Sequence, residues 1–374
     1  MASRKPLGLY FHIPFCRQKC VYCDFYSLPD SESRMDAYAA SLRTFLEPAD
    51  GYTVDTIYFG GGTPSYFGAQ RLTDILNRVF QVFRVSPDAE ITLEANPDSA
   101  VSLEALQLLR SGGFNRISLG MQSADDRELA GLGRIHTMEQ TRRAVETARK
   151  SGFENLSLDL IYGLPGQSLE RWRKNLEAAV QLEPVHLSCY GLKAEPNTPL
   201  YSRRHTLPGD DLQADMYLET VRFLEVHGYG QYEISNFARP GKFSRHNWKY
   251  WTLGEYIGYG PGAHSDFQGR RWAWDWNLDS WLSGKFVRSE DSCPSRPERQ
   301  RERVMLGLRT VHGIAAEDLD GGAAPFLPFL ERCAEAGYAR SSHGRWVLTP
   351  EGFLVSNQII GGLLQILDSQ GGSL

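Results

Sequence analysis

From Leu7 to about Ile234, short apolar runs rich in β-branched residues alternate with longer stretches that carry their apolar residues at helical spacing. The runs at 9–13, 56–59, 90–94, 116–119, 156–161 and 186–190 predict strands, and 231–234 is a further candidate. The stretches between them have readable ends. Thr137 with Gln140 three residues on forms a capping box for a helix reaching Ser151, where Gly152 stops it. Asp210 is the expected cap of a helix whose apolar face uses Leu212, Met216, Val221 and Leu224 and which ends at Gly228. Strands alternating with helices imply parallel strands joined by helical crossovers. The carboxyl ends of the first three predicted strands carry cysteine, Gly-Gly-Gly-Thr and Glu-Ala-Asn-Pro. Chemistry gathered at that end is the habit of a parallel barrel, so an α/β fold built as an open or partial barrel is expected.

The pattern changes after residue 236. Five of the eight tryptophans fall between Trp248 and Trp276, among tyrosines and glycines with little helical period. Helical spacing returns at 302–311 and 326–337, a strand is expected at 345–348, and Thr349-Pro350-Glu351 opens a last helix with proline in its first turn. The expected division is a barrel over 1–236, an aromatic and glycine-rich connecting segment over 237–297, and a small winged-helix-like domain over 298–374.

Composition narrows the function. The 374 residues suffice for a large core and a smaller second unit. With 40 basic and 45 acidic side chains the net charge is -5, which carries no basic footprint for nucleic acid. Six cysteines, three of them clustered, do not form the even framework of a secreted disulfide protein and point to a reducing compartment. The first predicted strand begins close to the N-terminus, so no leader peptide is expected. No apolar run approaches 18 residues, so no transmembrane helix is expected. A cytoplasmic protein is expected, at most peripheral at the inner membrane.

The cluster Cys16-Arg-Gln-Lys-Cys20-Val-Tyr-Cys23 is the strongest chemical signal. A closed structural zinc site takes four ligands, whereas an iron–sulfur cubane held by three thiolates keeps one iron open. Zinc bound with His12 or a remote cysteine, and three unrelated core cysteines, are the competing readings. Gly60-Gly61-Gly62-Thr63-Pro64 can bring backbone close to a ligand and expose amides to an anionic group, though such runs also serve as plain tight turns. Glu94, Gln122, Arg134 and Asp159 stand at the remaining strand ends. Asp159 interrupts an apolar run and is costly if buried alone.

The C-x3-C-x2-C spacing after the first strand resembles that of radical S-adenosylmethionine (SAM) enzymes. Tyr10-Phe-His-Ile-Pro-Phe-Cys16, Gly-Gly-Gly-Thr-Pro, Leu93-Glu-Ala-Asn-Pro97, Gly120-Met-Gln-Ser123 and Asp159-Leu-Ile-Tyr-Gly-Leu-Pro165 resemble the oxygen-independent coproporphyrinogen III oxidase family over nearly the whole chain. The resemblance implies a partial (β/α)6 barrel, a 4Fe–4S cluster on Cys16, Cys20 and Cys23, and SAM contacts at Tyr10, Tyr22, Gly61, Gly62, Thr63, Glu94, Gln122, Arg134 and Asp159. Two features depart from the decarboxylating oxidases. Phe25 stands where they carry a further cysteine, and the cluster begins only 16 residues in. Both resemble the HemW-type heme chaperone branch, as does His246-Asn247-Trp248-Lys249-Tyr250-Trp251, which matches that branch's His-Asn-x-x-Tyr-Trp signature.

A neutral imidazole is a good axial ligand for heme iron, and flanking aromatics offer flat apolar surface. With that signature present, the resemblance makes His246, with Asn247, Tyr250 and Trp251, the expected heme site, and Arg245 and Lys249 could meet propionates. The plain alternative is an aromatic cluster in which His246 is merely hydrogen-bonded. His264 is a second-choice ligand. The expected activity is heme binding and delivery to a heme-dependent respiratory acceptor, with homodimerisation a family-level expectation. The alternative is coproporphyrinogen decarboxylation by a deoxyadenosyl radical.

Overall fold

The computed structural model describes residues 4–100, 102–315, 318–319 and 324–371. Six parallel strands follow one another in chain order: β1 (Lys5–Ile13), β2 (Tyr52–Gly61), β3 (Val85–Ala95), β4 (Arg116–Gln122), β5 (Asn155–Tyr162) and β6 (His186–Gly191). Five connections run through helices Met35–Phe45, Ala69–Val82, Leu103–Ser111, Met138–Lys150 and Leu169–Gln181, and helix Asp210–Val226 follows β6. Each strand's alternation decides its two faces. On β1, Leu7, Leu9, Phe11 and Ile13 are fully buried against the helices, each contributing about 1.5–3 kcal/mol by burial. Phe11 stacks on Phe59 at 4.7 Å and on Tyr259 at 5.2 Å. Intervening positions such as Gly8, Tyr10 and His12 face the other way. Inward side chains from β2 through β6 line a single cavity, so the sheet curves into a partial barrel.

Two findings revise the expected boundaries. The sheet continues past residue 236 at both flanks. Beyond β6 lie β8 (Asn236–Ala238) and β7 (Gly230–Glu233). Beyond β1 lie β9 (Tyr256–Tyr259), paired parallel, then β10 (His264–Phe267), β11 (Arg270–Trp274) and β12 (Arg288–Ser292). The 237–297 segment is therefore largely sheet, with the short helices Arg245–Trp251 and Leu278–Leu282. Second, two helix starts differ. Gly209 is the N-cap of helix Asp210–Val226, and Asp210 is its first residue, where a negative charge suits the helix dipole. The helix expected at 302–311 is Arg296–Gly307, because Ser295 and Glu298 form a reciprocal capping box with Pro297 in the first turn.

The C-terminal module combines helix Arg296–Gly307, strand β13 (Ile314–Ala315), helix Leu327–Glu335, the hairpin of β14 (Ala339–Ser342) with β15 (Arg345–Leu348), and helices Pro350–Leu354 and Ser356–Gly371. It is tied to the barrel by backbone bonds from Ile234 N to Arg309 O (2.9 Å) and from Val311 N to Tyr232 O (3.1 Å). Ion pairs of Arg299 with Asp266 and of Glu302 with Arg271 add to this tie. Among the described residues no helix is long and apolar enough to cross a membrane.

Candidate cofactor site

After β1 the chain enters the cysteine loop, and backbone pairing holds that loop at several points. Cys16 N donates to Leu28 O (3.2 Å), Leu28 N to Pro14 O (2.6 Å), Val21 N to Leu132 O (3.2 Å) and Leu200 N to Val21 O (2.9 Å). The loop is thus fastened to the segments that follow β4 and β6. Its three thiols all line one cavity of about 440 Å³. Burial pushes the Cys16 and Cys23 thiols up, while the Thr63 hydroxyl donates to Cys16 Sγ at 3.4 Å and pulls the other way.

The donor set fits a cluster better than a single ion. No group of three His, Cys, Asp or Glu side chains among the described residues is arranged to hold one metal ion, whereas a cubane takes one thiolate on each of three separate irons. His12, the nearby candidate for a fourth zinc ligand, has both ring nitrogens engaged. Its Nε2 lies 2.8 Å from Tyr26 O and its Nδ1 lies 3.1 Å from Tyr10 Oη. Burial keeps this imidazole neutral, with its pKa lowered to about 4.

The glycine loop does a different job from the one its composition suggests. Gly61 N donates to Glu94 Oε2 (3.1 Å), Gly62 N to Ile13 O (2.8 Å) and Thr63 N to Phe15 O (2.8 Å). All three amides are spent inside the protein, so none is presented to an anion. The glycines serve close approach instead. A Cβ on Gly62 would sit 2.8 Å from Phe15 O and 3.0 Å from Cys16 Sγ. Gly61, at φ 110°, is in a conformation that side chains resist.

Below the loop the barrel wall is polar. Glu94 accepts from Tyr58 Oη (2.6 Å) and Gly61 N, and desolvation raises its pKa to about 7. Asp159 accepts from Ser118 (3.1 Å) and Ser188 (2.7 Å), and burial pushes its carboxyl up as well. These donors answer the cost that the sequence attached to Asp159. Arg134 donates to Asn96 Oδ1 at 3.1 Å across Gly120, where any Cβ would lie 2.7 Å from the guanidinium. Gln122 has φ 62° and follows a register shift between β4 and β5, a bulge that turns its side chain toward the cavity.

The structure brings eight of the nine expected SAM-contact residues onto this cavity: Tyr22, Gly61, Gly62, Thr63, Glu94, Gln122, Arg134 and Asp159. Tyr10 is not on the wall. Its ring stacks beside those of Tyr58 (6.2 Å) and His246 (6.5 Å). Phe25, 70% exposed, stands on the cavity's rim. Sequence reasoning missed Arg116, Ser118, Ser188 and Tyr58. The signal was present in β4, where Arg116-Ile-Ser-Leu-Gly-Met-Gln122 alternates polar and apolar at strand period.

The hexapeptide forms helix Arg245–Trp251, capped by Ser244. Only Asn247 of its four expected heme residues reaches the cavity wall. His246 is fully buried, with Nδ1 2.9 Å from Thr56 Oγ1 and Nε2 2.8 Å from Tyr250 Oη. Burial, with Lys249 as a lesser cause, lowers its pKa to about 3. Tyr250 packs edge-on to Tyr256, and Trp251 is half-buried. The cations expected to meet propionates are engaged elsewhere: Lys249 pairs with Asp55 at 2.8 Å, and Arg245 donates to Asp88 O at 2.7 Å. His264 is exposed on β10.

Comparison with known proteins agrees with this geometry. Residues 10–179 match the model of the radical SAM superfamily, and residues 295–355 match the HemN C-terminal domain. The heme chaperone HemW of Bacillus subtilis is 35% identical over 95% of this chain and 98% of its own length. The Escherichia coli HemW is 36% identical over 96% and 98%, and that of Mycobacterium tuberculosis 40% over 96% and 95%. The solved structure of coproporphyrinogen III oxidase (HemN) from Escherichia coli superposes with a TM-score of 0.82, covering 98% of this chain and 91% of that one. At 24% identity, that likeness speaks for the fold alone.

Proposed function

This chain belongs to the heme chaperone HemW family of radical SAM proteins, and from that premise we propose that it binds heme and hands it to a heme-dependent respiratory acceptor. Cys16, Cys20 and Cys23 would hold a 4Fe–4S cluster at one end of the cavity. When bound, the cluster and SAM together supply a one-electron redox centre with an adenosyl sulfonium beside it. The chain's own residues orient the cofactor. Glu94, Gln122 and Asp159 offer acceptors for ribose hydroxyls, and Arg134 offers a cation to a carboxylate. With the amides of the glycine loop spent internally, what that loop can offer an ammonium is carbonyl oxygen.

The observation that carries the reading is the gathering of three thiols and eight expected contact residues around one cavity. Heme ligation by His246 belongs to a different conformation from the one seen. The imidazole can reach iron only after giving up Thr56 or Tyr250, and the helix must loosen with it. In the conformation described, Asn247 is the part of the hexapeptide open to a ligand.

The test is anaerobic cluster reconstitution followed by heme titration of wild type and His246→Ala, with parallel assays for deoxyadenosine and protoporphyrinogen. About four iron and four sulfide per chain, a Soret shift on heme addition and no decarboxylated product are expected. Efficient turnover of coproporphyrinogen would replace the chaperone reading with the oxidase one. A zinc-bearing protein without acid-labile sulfide would end both.

A further inference from the structure

One buried charged group on the cavity wall has no hydrogen-bond partner. Arg116, the first residue of β4, is 1% exposed and lines the cavity wall. Its Nε is buried without a hydrogen-bond partner, and its guanidinium forms no ion pair with any described residue. A guanidinium stays charged at any pH the protein meets. Leaving one desolvated and unpaired costs several kcal/mol, so its retention calls for a compensating anion.

The wall offers negative charge only at a distance: Arg116 acts electrostatically on the carboxyls of Asp159 and Glu94, yet neither accepts a hydrogen bond from it. Each neighbouring carboxylate already has donors of its own: Glu94 has Tyr58 and Gly61, and Asp159 has Ser118 and Ser188. Thr92, directly opposite Arg116 on β3, adds a second orphan, since its fully buried hydroxyl is also unpartnered. Of the two, Arg116 is the one that lines the cavity, and a guanidinium fork matches the two oxygens of a carboxylate.

We propose that Arg116 is the anchor of a carboxylate-binding subsite deep in the barrel, filled by a propionate of the bound tetrapyrrole. Depth favours the propionate over the carboxylate of SAM. Arg116 is level with Thr92 and Tyr58, three residues short of Gly61, and thus about 10 Å along the strands from the glycine loop beside Cys16. An acid reaching that level must hang from a ligand that extends below the cluster end. The identity of the acid rests on the heme reading above, whereas the carboxylate chemistry does not.

The experiment compares acid with ester on the reconstituted full chain. Heme and heme dimethyl ester are titrated into wild type, R116K and R116Q, alongside SAM and its decarboxylated analogue. Wild type is expected to bind heme about 10- to 100-fold more tightly than the diester. R116Q should bind both forms alike, and R116K should recover part of the preference. A preference in the SAM pair that R116Q abolishes, with none in the heme pair, supports the subsite and overturns the propionate as its occupant. Equal affinity of wild type for acid and neutral form in both pairs overturns the subsite, with no variant involved. Failure of wild type to bind heme at all would sink the chaperone reading and the propionate together, leaving the SAM pair to decide the subsite.

Discussion

The carboxylate of Glu90 on β3 accepts the backbone N–H of His246 at 3.0 Å and that of Arg245 at 3.1 Å. One strand residue thereby receives two of the free amides at the start of the hexapeptide helix and seats that helix against the barrel. Glu90→Ala orphans both amides. Urea denaturation is expected to show a loss of about 1–3 kcal/mol. If heme takes His246 only once the helix loosens, the same variant will bind heme through imidazole more readily than wild type. Identical Soret spectra in wild type, Glu90→Ala and His246→Ala would place the axial ligand elsewhere.

The buried histidines set an acid limit on the fold. His246 has its pKa lowered to about 3, and His12 and His136 to about 4, with desolvation the leading cause in each. A depressed folded-state pKa favours the neutral form, so the unfolded chain takes up protons first as pH falls. The resulting stability is fully present above about 6.5 and is lost from there down through pH 4 to 3. Chemical denaturation across that window should show a falling stability of about 1.4 kcal/mol per pH unit for each histidine. Replacing His246 by Gln should make the slope shallower.

Glu94 works in the opposite direction. Its folded pKa near 7 lies above the ordinary carboxylate value, so the folded state holds the proton longer. That contribution is present below about 4.5 and disappears as pH rises through 7. Glu94→Gln should therefore lose less stability than wild type between pH 5 and 8. A variant whose pH dependence there equals that of wild type would show that Glu94 ionises normally in its cavity.

Gly62 couples the second strand to the cluster loop. Gly62→Ala forces a Cβ against Ile13 O at the end of β1 and against Phe15 O and Cys16 Sγ in the loop that must present the thiol. The cost to stability is about 1–3 kcal/mol, and iron per chain after reconstitution should fall well below the wild-type value. Full iron incorporation in this variant would show that the loop can shift without misplacing Cys16.

The order of the strands and the chemistry at their carboxyl ends were legible from local pattern. Apolar runs of strand length, polar residues at their ends and a tight thiol triplet are all short-range signals, and the six parallel strands appear close to where those signals lie. The hexapeptide marks where legibility stops. His-Asn-x-x-Tyr-Trp announces an imidazole beside aromatics, but nothing in six residues says that Thr56 and Tyr250 occupy both of its nitrogens or that Asp55 claims Lys249. Those partners come from sequence positions as far as 194 residues away.

By itself, then, the sequence determined the six parallel strands and their order and singled out the thiol triplet as the expected cluster ligands, because each depends on neighbours within a few residues. Only the tertiary structure decided which polar side chains are paired and which stay idle. It alone shows that the amides of the glycine loop are consumed, that Tyr10 stands off the cavity wall and that Arg116 is left without a hydrogen-bonded anion. The physical reason is that pairing in a barrel is settled between strands distant in the chain, where desolvation makes every unmatched charge count.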